Sequence, residues 1–322
     1  MSPTTPPPAY PASEPRRRRQ RQSRSWSVPL GRIAGIEIRA HLSFLALIVL
    51  VALGATAPGQ PAVVEQVAWL LVLFMCVVAH ELAHSLVARA HGVRVREIEL
   101  LPIGGISKLE SRPTSPRDEL LISAAGPAMS FLIGATVAAL VMAAGNPPWP
   151  IAIYDGSLLT RIVWVNVLLG GFNLLPALPL DGGRVLRAAL TPRLGHERAT
   201  RLTASAGRVA GVLLIAIGFL WNVWLAVIGV FVVFGAVAEE AALRIEVLLA
   251  DVRVRDLPLH PPPEPLTALT VDADELIVRT PLLSGARSVA VMRDGVVVGV
   301  VYADDLERVL RSAAKRRRDL VP

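Results

Sequence analysis

The sequence predicts an α-helical polytopic membrane protein of about six transmembrane helices, followed by a small cytoplasmic α/β domain. Three observations predict it. The 322 residues are 53% hydrophobic and only 18% charged, whereas soluble domains carry about 25% charge. Stretches at 120–145, 162–180 and 209–238 contain no charged residue at all. The basic residues, 31 Arg against 2 Lys, gather between the apolar runs, where topology signals sit. The same composition excludes several classes. Hydrophobicity this high is incompatible with a disordered chain. A single cysteine, Cys76, excludes a disulfide framework and a Cys-rich zinc finger. Aromatic residues at 5% are too few for a single-strand stacking platform, so no nucleic-acid partner is expected.

Taken in order, residues 1–28 are Pro-rich and then basic, with four consecutive arginines at Arg16 to Arg19. No short apolar stretch with a cleavage site follows, so this reads as a disordered cytoplasmic tail rather than a signal peptide. Residues 29–250 hold the membrane core and 251–322 the cytoplasmic domain. The first span lies within 40–64 and ends near the Pro58-Gly59-Gln60-Pro61 turn; the second is 66–80. The third and fourth are 120–145 and 162–180. The 30 uncharged residues at 209–238 would make a helix of about 45 Å, longer than the roughly 30 Å hydrocarbon core. Trp221-Asn222-Val223-Trp224 sits at their middle and suits a hairpin tip. That gives six spans with a short final pair, five tilted spans being the alternative. Connections 58–66 and 146–160 lack Lys and Arg, while 89–118 and 184–208 each carry six. The positive-inside rule therefore places both termini in the cytoplasm, in a plasma membrane. The Arg-over-Lys bias fits a GC-rich bacterial genome.

Charge inside a membrane is costly and needs a reason. The second span runs into His80-Glu81-Leu82-Ala83-His84. On a helix, positions i and i+4 share a face, so both imidazoles reach one Zn²⁺ while Glu81 lies beside them as general base. A catalytic zinc usually has three protein ligands. Asp181 ends the fourth span, which runs in the same direction as the second, so His84 and Asp181 lie at similar depth. Pro176 and Pro179 cannot sit in a regular helix, and irregular backbone at that depth requires a lining of protein or water. Asn173 is suited either to hold a scissile carbonyl or its oxyanion, or to make an interhelical hydrogen bond. His41, His91, His196 and His260 read as interfacial or loop residues.

These motifs, His80-Glu81-Leu82-Ala83-His84 with Asn173-Leu174-Leu175-Pro176-Ala177-Leu178-Pro179-Leu180-Asp181-Gly182, resemble the site-2 protease family of intramembrane metalloproteases. Leu101-Pro102-Ile103-Gly104-Gly105 and Ala125-Gly126-Pro127 are similar to the family's membrane-associated strand and third-span opening. The resemblance implies one Zn²⁺ per chain held by His80, His84 and Asp181, with Glu81 as catalytic acid/base. It implies cleavage of a transmembrane segment of a single-pass membrane-protein substrate, for example an anti-sigma factor in regulated intramembrane proteolysis. A strand near 99–106 would hold the unwound substrate by strand addition. The rival readings are a regulated channel or transporter and a proteolytically inactive membrane scaffold.

Beyond Glu240 the chain becomes soluble in character. Runs at 286–292 and 295–302, separated by Arg293-Asp294-Gly295, read as a β-hairpin, followed by a helix at 303–312. Gly299-Val300-Val301-Tyr302-Ala303-Asp304-Asp305-Leu306 resembles the end of a CBS motif, which points to the CBS-domain-bearing bacterial and archaeal subgroup. One such motif leaves a face to pair with a second chain. Val296, Val298 and Val300 are expected to share an apolar side, giving a homodimer through 251–322. Tyr302 stands where the motif favours Ser or Thr, so pairing without nucleotide is expected.

Overall fold

The computed structural model describes residues 26–309 except 55–61, 103, 110–112, 114, 147, 150, 152–156, 251, 262–268, 278–279, 281–285, 287 and 307. Residues 1–25, the 58–61 turn and residues 262–265 of the Pro-rich stretch at 258–265 lie outside the described residues. Residues 21–240 form one compact unit, and 241–322 belong to a second.

The first unit opens on a sheet, of which a single strand near 99–106 was expected; the structure divides that stretch between two strands. β1 (Ser27–Ile33), β2 (Ile36–His41), β3 (Val95–Leu101) and β4 (Gly104–Leu109) lie in that order. β2 and β3 are parallel and the other pairs antiparallel. Ala34 and Gly35 both take positive φ, 50° and 78°, as a two-residue turn between twisted strands requires. Strand side chains alternate between faces. Ile36, Ile38, Ile98 and Leu100 therefore bury together against Val78 and Leu82 of α2 (Val63–Ala90). The other face is polar: Arg39 pairs with Glu37 at 2.7 Å and donates to Ser27 Oγ at 3.0 Å.

Among the described residues, seven α-helices of 13 residues or more follow the N-terminal hairpin. α1 (Leu42–Gly54) starts at His41, whose Nδ1 accepts the backbone N–H of Ser43 at 3.2 Å. α2, α3 (Pro116–Ala143), α6 (His196–Trp221) and α7 (Val223–Leu249) are long and apolar enough to cross a membrane, whereas α1 and α4 (Leu158–Asn173) are apolar but shorter. α3 is central and packs on α2, α4 and α5 (Asp181–Leu194). The final pair departs from expectation: with 26 and 27 residues, α6 and α7 are not short. Each continues past the uncharged window into charged turns, α6 through Arg198, Arg201 and Arg208 and α7 through Glu239 and Glu240. The chain breaks between them at Asn222, where the hairpin tip was expected; its Oδ1 accepts the N–H of Trp224 at 2.9 Å. Gly211, Gly218 and Gly229 let these helices touch backbone to backbone. A Cβ at Gly218 would stand 2.2 Å from Ala226 N, the close approach small residues permit in membranes.

The fourth helix ends at Asn173 rather than continuing to 180, because Pro176 and Pro179 follow. Asp181 instead opens α5. The non-helical segment 174–180 is enclosed by glycines: a Cβ at Gly207 of α6 would lie 1.9 Å from Leu178 O, and one at Gly235 of α7 2.4 Å from Pro179 Cγ. Leu178 N donates to Thr203 O at 3.2 Å, so this backbone is satisfied by protein. Arginines read as topology signals also cross-link helices. Arg187 binds Glu119 of α3 and Glu239 of α7, Arg184 reaches Glu239 at 3.0 Å, and Arg208 pairs with Glu240. Arg161, in the first turn of α4, lies over the Trp69 ring at 5.1 Å and 3.9 Å from Glu65.

The second unit holds a three-stranded sheet, β5 (Leu269–Asp272), β6 (Ser288–Arg293) and β7 (Val296–Tyr302), in that order, with β5 parallel to β6. The Asp294-Gly295 turn has φ of 53° and 78°, as its sequence implies. The single apolar side expected of Val296, Val298 and Val300 does not form. Val291 pairs with Gly299 and Met292 with Val297, leaving Val298 as a bulge. A bulge resets the alternation. Val297 and Val300 consequently bury with Ala290, while Val298 and Val301 pack with Val289 and Val291 on the other side. Val300 is fully buried, so it offers no contact to a second chain.

Asp305 anchors the turn after β7. Burial of its side chain opposes ionisation. The Tyr302 N–H at 3.0 Å, His260 Nε2 at 3.1 Å and Arg308 outweigh that and hold the carboxyl below its usual range. A depressed folded pKa stabilises above the unfolded value, about 3.9, and that stabilisation is lost as pH falls through the lower folded value. Asp305→Asn should therefore lower the thermal stability of this unit at neutral pH and flatten its dependence below about pH 4. An unchanged acid limb in the variant would contradict the assignment.

Candidate metal centre

α2 carries His80 and His84 one turn apart, and α5 begins with Asp181, so two helices whose site residues stand 97 and 101 positions apart in sequence meet. His80 Nε2 and His84 Nε2 each lie 3.1 Å from Asp181 Oδ2 and 3.2 Å from one another. Tetrahedral ligands about 2.0–2.1 Å from zinc stand about 3.3 Å apart. The spacing fits. The hydrogen bonding fits as well: His84 Nδ1 faces the Ile122 carbonyl at 2.6 Å, an acceptor only, so the neutral ring carries its proton on Nδ1 and leaves the Nε2 lone pair for a metal. His80 Nδ1 bonds the buried Ser130 Oγ at 2.9 Å. Two imidazole nitrogens and a carboxylate oxygen converging at this distance form a donor set for a cation. Such outer bonds fix ring orientation in metal sites.

Gly126 completes the cradle from α3. A Cβ there would lie 2.2 Å from His84 Nε2 and 2.6 Å from His80 Nε2; only a glycine leaves the space. Among the described residues, His80, His84 and Asp181 are the group able to hold a metal. Glu81, next in sequence, does not join them. Its Oε2 accepts from Ser107 of β4 at 2.8 Å, which leaves it beside the cluster rather than in it.

Asn173 ends α4, where its Nδ2–H donates to Leu169 O at 2.9 Å. The other histidines stand apart: His91 bonds Asp118 at 2.7 Å and His260 bonds Asp305. Ser107 was not anticipated, nor were Ser130 and, beyond its place in Ala125-Gly126-Pro127, the part Gly126 plays at the metal site. The signal available for the last two was their spacing, i and i+4 on an apolar helix, which puts them on one face. Asn166, fully buried on α4, donates to Cys76 Sγ at 3.2 Å and to Ile162 O at 2.9 Å.

Two histidines one turn apart, an aspartate from a distant helix and a glutamate adjacent to the first histidine are the donor set of a zinc metallopeptidase. Comparison with known proteins agrees. The family model described as Peptidase family M50 matches residues 68–155 and 150–217. Zinc metalloprotease MJ0392 of Methanocaldococcus jannaschii is 34% identical over 72% of this chain and 66% of its own length. Rip3 of Mycobacterium tuberculosis, provisionally named a zinc metalloprotease, is 37% identical over 91% of this chain and 77% of its own. The solved site-2 protease from M. jannaschii superposes with a TM-score of 0.51 at 35% identity, over 67% of this chain and 95% of that one. The chain belongs to the site-2 protease (M50) family of zinc metalloproteases.

Proposed function

We propose that the chain is a zinc-dependent intramembrane endopeptidase that cleaves a transmembrane segment of a single-pass membrane protein, in regulated intramembrane proteolysis such as the destruction of an anti-sigma factor. The carrying observation is the His80–His84–Asp181 cluster beside Glu81 on an apolar helix long enough to span. Zinc held by these residues would acidify a water and polarise the scissile carbonyl. Glu81 takes the proton and passes it to the leaving amine. Asn173 spends one of its two side-chain N–H groups within its own helix and has a second to offer the scissile carbonyl or its oxyanion. A helical substrate must unwind before its carbonyl is reachable, and the edge of β4 is where an extended strand would add.

In this reading α1 and α4 also cross, by local thinning of the bilayer, which makes six spans with both termini cytoplasmic. The residues at 251–322 form a CBS-like appendage. In a Cys76→Ala background, a cysteine at position 222 should label with an impermeant maleimide from outside and one at position 198 only from the cytoplasm. Outside labelling of position 198 would overturn the orientation. The activity itself is tested by trapping: Glu81→Gln in its native membrane, photocrosslinked, should accumulate a membrane protein that the wild type does not. Equal recovery from both would count against a peptidase.

A further inference from the structure

Glu81 has Ser85 one turn further along α2, so the two share a helix face, and β4 runs across that face. Gly105 of β4 has no room for a side chain, since a Cβ there would stand 2.5 Å from Glu81 Cγ. Two residues on, and therefore on the same side of the strand, Ser107 donates to Glu81 Oε2 at 2.8 Å. A hydroxyl has one proton. With that of Ser107 committed to the carboxylate, the 3.2 Å contact between Ser85 Oγ and Ser107 Oγ is a bond donated by Ser85, which is fully buried. The three groups form a directed chain from Ser85 through Ser107 to one carboxylate oxygen, in which each bond polarises the next.

We propose that Ser107 is a positioning residue for the peptidase reaction: it pins Glu81 through Oε2, so that Oε1 is the oxygen that takes and returns the proton. The proposal rests on Glu81 being the acid/base. Glutamate has three side-chain torsions, and a base works only within hydrogen-bond reach of its proton. A charge-assisted O–H···O⁻ bond from a second element removes the freedom that α2 alone leaves. β4 is the edge of its sheet, bonded to β3 and to no other strand among the described residues. Whatever seats or displaces β4 thus moves the base with it, and the state of the strand is read out at the carboxylate.

The test uses full-length protein in lipid vesicles with a fluorophore-and-quencher-labelled, leucine-rich transmembrane peptide carrying a central Asn-Pro pair. Ser107→Ala should lower kcat about ten- to a hundredfold, the cost of a misplaced group, with KM, zinc content and melting temperature unchanged. Ser107→Thr, which keeps the hydroxyl, should restore most of it, and Ser85→Ala should lose less than Ser107→Ala. In a Glu81→Gln background, Ser107→Ala should cost nothing further, because the two residues act as a unit. Wild-type kcat in Ser107→Ala, an equal loss in both backgrounds, or a loss that tracks zinc content would each overturn the proposal while leaving the peptidase reading intact. No cleavage by the wild type would instead count against the peptidase reading, and the proposal would fall with it.

Discussion

Glu81→Gln is expected to retain one zinc per chain while turnover falls by about 10²–10⁴-fold, the usual contribution of a positioned acid/base. Glutamine keeps the size and the hydrogen bond that Ser107 offers at 2.8 Å but has no basic oxygen to take a proton. Zinc should remain because His80, His84 and Asp181 make the cluster without Glu81. Metal analysis and the kinetic assay on one preparation separate the two effects. Normal turnover in the variant would remove Glu81 from the mechanism, and loss of zinc would make it a ligand.

Gly126→Ala should be as damaging by the opposite route, emptying the metal site with Glu81 untouched. The added methyl would lie 2.2 Å from His84 Nε2 and 2.6 Å from His80 Nε2, and neither ring can swing away, because Ile122 O and Ser130 hold their other nitrogens. Zinc content should fall far below one per chain and not recover in excess zinc. Ser130→Ala removes only an outer bond and should weaken zinc binding about 10–100-fold. A Gly126→Ala chain with full zinc would show that the cradle is wider than described.

What was legible in the sequence were residues whose chemistry is conspicuous against an apolar background. His80, Glu81, His84 and Asp181 stood out because ionisable groups have no other reason to be there, and alternating basic connections supplied the matched depth. The Asn222 break was readable for the same reason. Groups that serve by absence or by a single hydroxyl were not. Gly126 is informative only once the two imidazoles are known to face it, and Ser107 only once β4 is known to cross α2. Both facts depend on long-range packing that no local pattern encodes. β1 and β2 were missed because Ile36-Glu37-Ile38-Arg39-Ala40 alternates as a strand should yet runs straight into the apolar residues of α1, behind an Ala34-Gly35 turn with no Asn or Asp to announce it. The lengths of α6 and α7 were underread because charge marks the membrane boundary, not the helix end. Val298 shows the limit of alternation itself: one bulge moved Val300 to the opposite side.

The central claim is that this cluster hydrolyses a peptide bond within the membrane. It is tested most directly by mass spectrometry of the partner trapped on Glu81→Gln, reconstituted with wild-type enzyme in vesicles. The account predicts a new N-terminus inside the partner's transmembrane segment, lost on zinc chelation and regained when zinc is restored. A partner that stays intact, or one cut only outside its membrane segment, would contradict it.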